Sequence, residues 1–165
     1  CNMANPTHSL KQVTPIINAV KTADANGTDV DTTGYESATL IVQVGAEGDT
    51  LAANLFFKIH IEHADDDGSG SASTYSECTQ AEVTGGTIAA NGVWLILDGT
   101  GTAGSGGNPD TVGLVDRIGY IGGKKFVRAK ISKSGTHSNG TPISAQFILA
   151  NARHTGDNAK ADHNV

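Results

Sequence analysis

Alternation of apolar and polar residues over two long segments constrains this fold more than any other feature. In residues 35–46 apolar side chains recur at every second position, through Leu40, Val42 and Val44. Residues 55–63 follow the same pattern. Because successive side chains of a β-strand point to opposite faces of its sheet, the pattern predicts two strands, each with one buried face.

The rest of the chain predicts further short strands and no helix. Glycine is abundant, with 21 residues, and glycine in a helix costs roughly 1 kcal/mol per position. Apolar and β-branched segments alternate with turn-forming segments, which is typical of strands joined by tight turns. The further strands are predicted at residues 13–20, 75–83, 93–97, 112–121, 124–132 and 143–150. The sequence therefore predicts an all-β fold, an antiparallel β-sandwich of about eight strands that is jelly-roll-like.

Two local features add detail to this prediction. Pro15 has no N–H to donate, so the strand at residues 13–20 is expected at a sheet edge. Gly122 and Gly123 separate two predicted strands, and such a pair supplies the positive φ angles of a tight hairpin. We therefore predict a hairpin at that point.

The polar ends of the chain predict a three-part organisation. Residues 1–12 are interpreted as a flexible N-terminal arm, residues 13–151 as the sandwich domain and residues 152–165 as a C-terminal arm. A single domain of this size can bury a sizeable core without disulfide bonds or bound metals.

Charge and composition argue against several partners. The formal net charge is −6 and the isoelectric point is about 5.4, so a phosphate backbone would be repelled and nucleic-acid binding is not expected. No apolar run is long enough to cross a bilayer, so no membrane partner is expected. With cysteines only at positions 1 and 78, a disulfide framework is not expected, and synthesis in a reducing cytoplasm is compatible with the sequence.

No motif predicts catalysis or a cofactor. Gly99, Gly101 and Gly104 have the spacing of a dinucleotide loop, but the helix that such a site requires does not follow. His60 and His63 are three apart, which on a strand places them on opposite faces and prevents a shared metal. We therefore predict no enzyme, no cofactor and no metal.

The acidic run at residues 65–67 leaves an alternative open. Carboxylate-rich loops can bind Ca²⁺, but the alternating acidic pattern of a calcium loop is missing. A solvated hairpin tip is the preferred interpretation.

Three stretches together resemble a group of small proteins encoded in the structural-gene clusters of phages and prophages. These are DTTGYESAT at residues 31–39, RIGYIGGKKFVR at residues 117–128 and the segment 143–153. The resemblance keeps the order of the motifs and covers about two thirds of the chain. The family's S-D-D-G loop is changed here, because Asp66-Asp67-Gly68 follows Asp65.

The resemblance implies a virion structural protein, in particular a decoration or cement protein on the outside of a tailed-phage head. It would stabilise the shell by binding the major capsid protein, and it would self-associate, for example as a trimer. Such a protein is made in the host cytoplasm and ends on the outer capsid surface. The candidate capsid-contact residues lie in the two arms and on one strand face: Met3, His8, Leu10, Lys11, Phe126, Arg128, Lys130, Arg153 and His154.

Two alternatives have the same fold. One is a tail, fibre or head–tail connector module that binds host receptors. The other is a carbohydrate-binding module, which would usually display an exposed aromatic platform. Aromatic residues make up 5% of the chain, and Trp94 lies within an apolar run, which disfavours the second alternative.

Overall fold

The computed structural model describes residues 10–99 and 114–152, and this part of the chain consists mainly of β-strands. It contains eleven strands, a single-turn 3-10 helix at Gln80–Glu82 and no α-helix. The strands are β1 (Lys11–Lys21), β2 (Ala25–Asn26), β3 (Val30–Asp31), β4 (Tyr35–Val44), β5 (Phe56–Ala64), β6 (Ser76–Glu77), β7 (Val83–Thr84), β8 (Val93–Leu97), β9 (Leu114–Tyr120), β10 (Phe126–Ser134) and β11 (Thr141–Ala152). Gly101 and Gly104 of the dinucleotide-like spacing lie outside the described residues.

The strands form two antiparallel sheets packed together. Sheet A has the order β1-β11-β4-β9-β7. In sheet B the central pair is β10 and β5; β2 and β3 extend it beside β10, and β6 and β8 extend it beside β5. The predicted antiparallel β-sandwich is confirmed.

The inner faces of the two sheets make one core, as the alternation predicts. Leu40 and Val42 of β4 are completely inaccessible to solvent, and so are Ile59 and Ile61 of β5. All four belong to a single hydrophobic cluster that spans both sheets. Burial of each such side chain contributes roughly 1.5–3 kcal/mol, so these two strands anchor the sandwich.

The position of β1 follows from Pro15. This strand is the edge of sheet A and pairs with β11, with register shifts between Val13 and Ile16 and between Ile16 and Ala19. A proline at an edge removes no hydrogen bond from the sheet, and irregular pairing makes an edge a poor template for a further strand. The prediction of an edge strand is confirmed.

The predicted hairpin at Gly122 and Gly123 is wrong. Strand β9 pairs with β4 and β7 in sheet A, whereas β10 pairs with β5 in sheet B, so this connection crosses between the sheets. Neither glycine has a positive φ. A Cβ on Gly122 would lie 2.5 Å from the Tyr120 hydroxyl oxygen, which accepts a hydrogen bond from the Lys124 N–H at 3.0 Å. Glycine therefore occupies position 122 because the Tyr120 side chain needs the space. No turn with a positive φ requires it there.

The predicted strand at residues 75–83 is also wrong. It is divided into β6, which pairs with β5 in sheet B, and β7, which pairs with β9 in sheet A. Between them Thr79 and Glu82 form a capping box, in which the Glu82 carboxylate accepts the Thr79 N–H at 2.8 Å. This capping interaction turns the chain and carries it from one sheet to the other.

The acidic segment lies at the tip of the β5–β6 hairpin, which agrees with the preferred interpretation. Asp66 Oδ1 accepts the N–H groups of Gly68 and Gly70, and Oδ2 pairs with the Lys125 ammonium. The Lys125 hydrogen bond and these two amides lower the pKa of Asp66 to about 2. Both oxygens of this carboxylate are therefore bound by donors of the protein itself.

Candidate contact surfaces

The five candidate contact residues that the structure describes are divided between the two sheets. Met3, His8, Arg153 and His154 lie outside the described residues. Lys11 is the first residue of β1 on sheet A, and Leu10, which is 43% exposed, directly precedes it. The other three, Phe126, Arg128 and Lys130, lie on β10 in sheet B.

Phe126 does not form the exposed contact that the sequence predicts. It lies on the outer face of sheet B, opposite Ala64, but it is only 5% exposed. Strand β3 flanks it on its other side, where Asp31 is its partner, and the Lys125 ammonium lies 5.1 Å from the ring centroid. The prediction of an exposed aromatic fails because neighbouring strands and a lysine cover the ring.

Arg128 and Lys130 project outward from sheet B, but both are paired within the molecule. Arg128 Nε lies 2.6 Å from Glu62 Oε2, and Lys130 Nζ lies 2.9 Å from Glu62 Oε1. Lys130 also contacts Glu77 Oε1 at 3.1 Å. The Tyr75 ring lies 3.9 Å from the Arg128 guanidinium and stacks on it.

We call these side chains, with His60, the polar layer of sheet B. His60 Nδ1 lies 3.1 Å from Glu77 Oε2 and its Nε2 lies 2.9 Å from Ser132 Oγ. Burial lowers the pKa of His60 and outweighs the opposing effect of the nearby carboxylates, which keeps the ring neutral at neutral pH.

Glu62 is the centre of the polar layer and remains ionised. Burial alone would raise its pKa, since only 4% of the residue is exposed. Hydrogen bonds from Lys130 and Arg128 outweigh that effect and hold the pKa below its usual value. The charges of Glu62, Arg128 and Lys130 at the middle of the outer face of sheet B are therefore matched within the molecule.

The outer face of sheet A has the opposite character. Its two central strands, β11 and β4, carry no charged side chain on the outer side. The outward residues there are Ser37, Thr39, Ile41, Gln43, Pro142, Ser144, Gln146, Ile148 and Ala150. Depletion of charge is typical of the centre of protein–protein interfaces.

Exposed apolar side chains flank these two strands. Ile17 and Val20 of β1 are 75% and 56% exposed, and Val115 of β9 is 61% exposed. Val115 pairs with Gln43, which fixes it on the outer side of sheet A. We call these three residues, together with the outer sides of β11 and β4, the sheet A face.

The two ends of the described body leave the sandwich close together. Lys11, at the start of β1, pairs with Leu149 of β11, and β11 ends three residues later at Ala152. Residues 1–9 and 153–165, whose structure is not described, therefore join the body at the same end of sheet A.

The two histidines of β5 have separate surroundings, as predicted. His60 belongs to the polar layer, whereas His63 points toward the other sheet, where its Nδ1 lies 3.1 Å from the Tyr120 hydroxyl. The two rings therefore lie on opposite faces of β5, as their spacing predicts.

The aromatic side chains form no exposed platform. All eight aromatic residues lie within the described part of the chain, and each of them is buried or half-buried. Trp94 is 4% exposed and belongs to the core, and the Tyr75 ring is covered by Arg128. Within the part of the chain that the structure describes, no helix has the length and apolar character needed to cross a bilayer.

Fold and surfaces together define a two-sheet antiparallel β-sandwich with one internally paired face and one open face. No protein-family model matches the chain, and comparison with curated proteins finds no significant match. A solved structure described as the SPBc2 prophage-derived protein YomS superposes with a TM-score of 0.47 and 14% sequence identity, over 92% of this chain and 99% of that chain. A likeness at this level assigns no role to this chain.

Proposed function

We propose that this protein is a non-enzymatic structural protein of a tailed-phage particle that binds the outer surface of the head and stabilises the shell. Its docking surface is the sheet A face. The observation that carries the proposal is the contrast between the sandwich's outer faces. On sheet B, Glu62 pairs with Arg128 and Lys130. Sheet A exposes Ile17, Val20 and Val115 beside two strands that carry no charged side chain on their outer side.

The physical basis of docking is preorganisation. A rigid sheet loses little conformational entropy when it binds, so more of the free energy of burying apolar surface appears as affinity. The two predicted arms would extend the footprint over neighbouring subunits. Both predicted arms join the body at the same end of sheet A, which allows them to act beside the sheet A face.

The motifs motivate the choice of a phage head as the partner. The stretches at residues 31–39 and 117–128 resemble virion structural proteins, and the net charge of −6 suits a position outside the shell, away from packaged DNA. Repetition of one weak contact over many identical shell sites would supply avidity.

A pair of matched variants tests the docking surface. Val115→Asp places a charge on the exposed apolar part of the sheet A face, whereas Thr74→Asp makes a nearly isosteric change at an exposed site before β6 of sheet B. We expect Val115→Asp to weaken co-sedimentation with heads lacking the protein by about tenfold or more, equivalent to roughly 1.4 kcal/mol, and Thr74→Asp to leave it unchanged. Equal binding by both variants would contradict docking through sheet A.

Copy number and particle stability test the wider role. A stained gel of purified virions distinguishes a coat present in hundreds of copies from a tail, fibre or connector part present in a handful. Particles lacking the protein should release DNA at a lower temperature than complete particles. Heads that retain their DNA equally well would contradict the cementing role.

A further inference from the structure

A cluster of three side chains with metal-binding atoms lies where the chain crosses between the sheets. His63, Cys78 and Glu82 each bring one ligand atom, and these atoms lie within 4.8 Å of one another. His63 and Cys78 are 3% and 1% exposed, while the Glu82 side chain is 30% exposed. The cluster is thus buried on two sides and open to solvent on the third.

The remaining polar atoms of these residues are held by other groups. His63 Nδ1 lies 3.1 Å from the Tyr120 hydroxyl, while Nε2 faces Glu82 Oε1 at 3.6 Å. Glu82 Oε2 accepts the N–H and the hydroxyl of Thr79 at 2.8 and 3.0 Å. These contacts leave His63 Nε2 and Glu82 Oε1 directed at each other, in the manner of second-shell contacts that orient metal ligands.

Cys78 supplies the third atom and is a free, buried thiol. Its backbone N–H donates to the Ile61 carbonyl at 3.0 Å, which fixes it beside β5. The nearby cation Lys124 is paired with Asp65 at 3.4 Å.

We propose that His63 Nε2, Cys78 Sγ and Glu82 Oε1 bind one Zn²⁺ ion, with a water in the fourth position. Nitrogen, thiolate sulfur and carboxylate oxygen are the ligand types of zinc, whereas Ca²⁺ and Mg²⁺ take oxygen ligands. Zinc bonds of roughly 2.0–2.3 Å place tetrahedral ligands about 3.3–3.8 Å apart, so the cluster contracts slightly on binding. The thiol proton is released to solvent as the metal binds.

The ion would link sheet B to the segment through which the chain crosses to sheet A. His63 belongs to β5 of sheet B, and Cys78 and Glu82 lie in the segment that leaves β6 for β7 of sheet A. Since a metal that binds only the folded state stabilises it, zinc should raise the melting temperature of this protein.

Cobalt substitution and zinc titration of the full chain test the site. Co²⁺ added to chelator-treated protein should give a sulfur-to-cobalt charge-transfer band at one equivalent. The band should persist in Cys1→Ser and disappear in Cys78→Ser. Loss of the band in Cys1→Ser, or its absence from the unmodified protein, would overturn the proposal.

Two milder variants separate ligation from folding. Glu82→Gln keeps an oxygen for the Thr79 cap but supplies a weak ligand, and Glu77→Gln is its matched control outside the cluster. We expect Glu82→Gln to weaken zinc binding by at least about tenfold, and Tyr120→Phe to weaken it by roughly 10- to 100-fold. Unchanged zinc affinity in folded Glu82→Gln, or an equal loss in Glu77→Gln, would contradict the assignment.

Discussion

Arg128 Nε lies 2.6 Å from Glu62 Oε2 across the β10–β5 pair, in a layer where Glu62 is only 4% exposed. The two residues are direct cross-strand partners, so the sheet register itself brings the opposite charges together. Because Lys130 takes the second oxygen of the same carboxylate, Glu62 holds both cations.

Removal of this carboxylate charge should destabilise the fold. Glu62→Gln weakens two charged hydrogen bonds, removes the carboxylate that pairs with Arg128 and leaves Lys130 with Glu77 alone. Each charged hydrogen bond is worth roughly 1.5–3 kcal/mol. We expect the free energy of unfolding in urea to fall by about 2–3 kcal/mol. Glu36→Gln at the exposed start of β4 is the control and should change it by less than about 0.5 kcal/mol. An equal effect of both variants would show that the polar layer contributes little.

The adjacent glycines between β9 and β10 should respond differently to alanine. Gly122→Ala places a Cβ 2.5 Å from the Tyr120 hydroxyl, and overpacking of this kind costs roughly 1–3 kcal/mol. Gly123→Ala meets nothing within 4 Å and has no positive φ to oppose it, so it should be neutral or slightly stabilising. Thermal unfolding of the two variants checks this. Similar losses in both would instead indicate a tight turn that requires two glycines.

The protein should become less stable as the pH falls below 6.5, the ordinary pKa of a histidine side chain. Burial lowers the pKa of His60 from 6.5, so between 6.5 and that lowered value the unfolded chain binds more protons than the folded protein. The free energy of unfolding therefore rises with pH through this window. The stability that the neutral His60 contributes at higher pH disappears as the pH falls through the lowered pKa. Burial lowers the pKa of His63 as well, which acts in the same direction.

Urea unfolding at pH 7.5, 6.5 and 5.5 measures this dependence. His60→Gln should flatten the slope because it removes one of the two groups responsible, while the remaining slope reports His63. An unfolding free energy that does not vary from pH 7.5 to 5.5 in the unmodified protein would contradict a neutral, buried His60.

The acidic hairpin tip shows what local chemistry can predict. Asp66 accepts the amides of Gly68 and Gly70, two and four residues further along the chain, so its conformation depends on neighbours in sequence. The same holds for the edge position of β1, because Pro15 lacks the N–H that an interior strand would use.

The burial of Phe126 and the cluster of His63, Cys78 and Glu82 show where such prediction ends. Nothing near Phe126 in sequence indicates that β3 lies beside its ring. Nothing near Cys78 indicates that a histidine fifteen residues earlier approaches its sulfur. Both arrangements depend on which strands become neighbours.

The sequence alone determined the long strands β4 and β5 and their inward faces, because a period of two is a property of one segment and needs no partner to be recognised. Only the tertiary structure decided that β9 and β10 belong to different sheets and that residues 76–84 cross between them. Strand pairing is a choice among distant segments of similar pattern, settled by the joint packing of the core and by space such as that beside Tyr120. That choice brought the charges of sheet B together and left the sheet A face open.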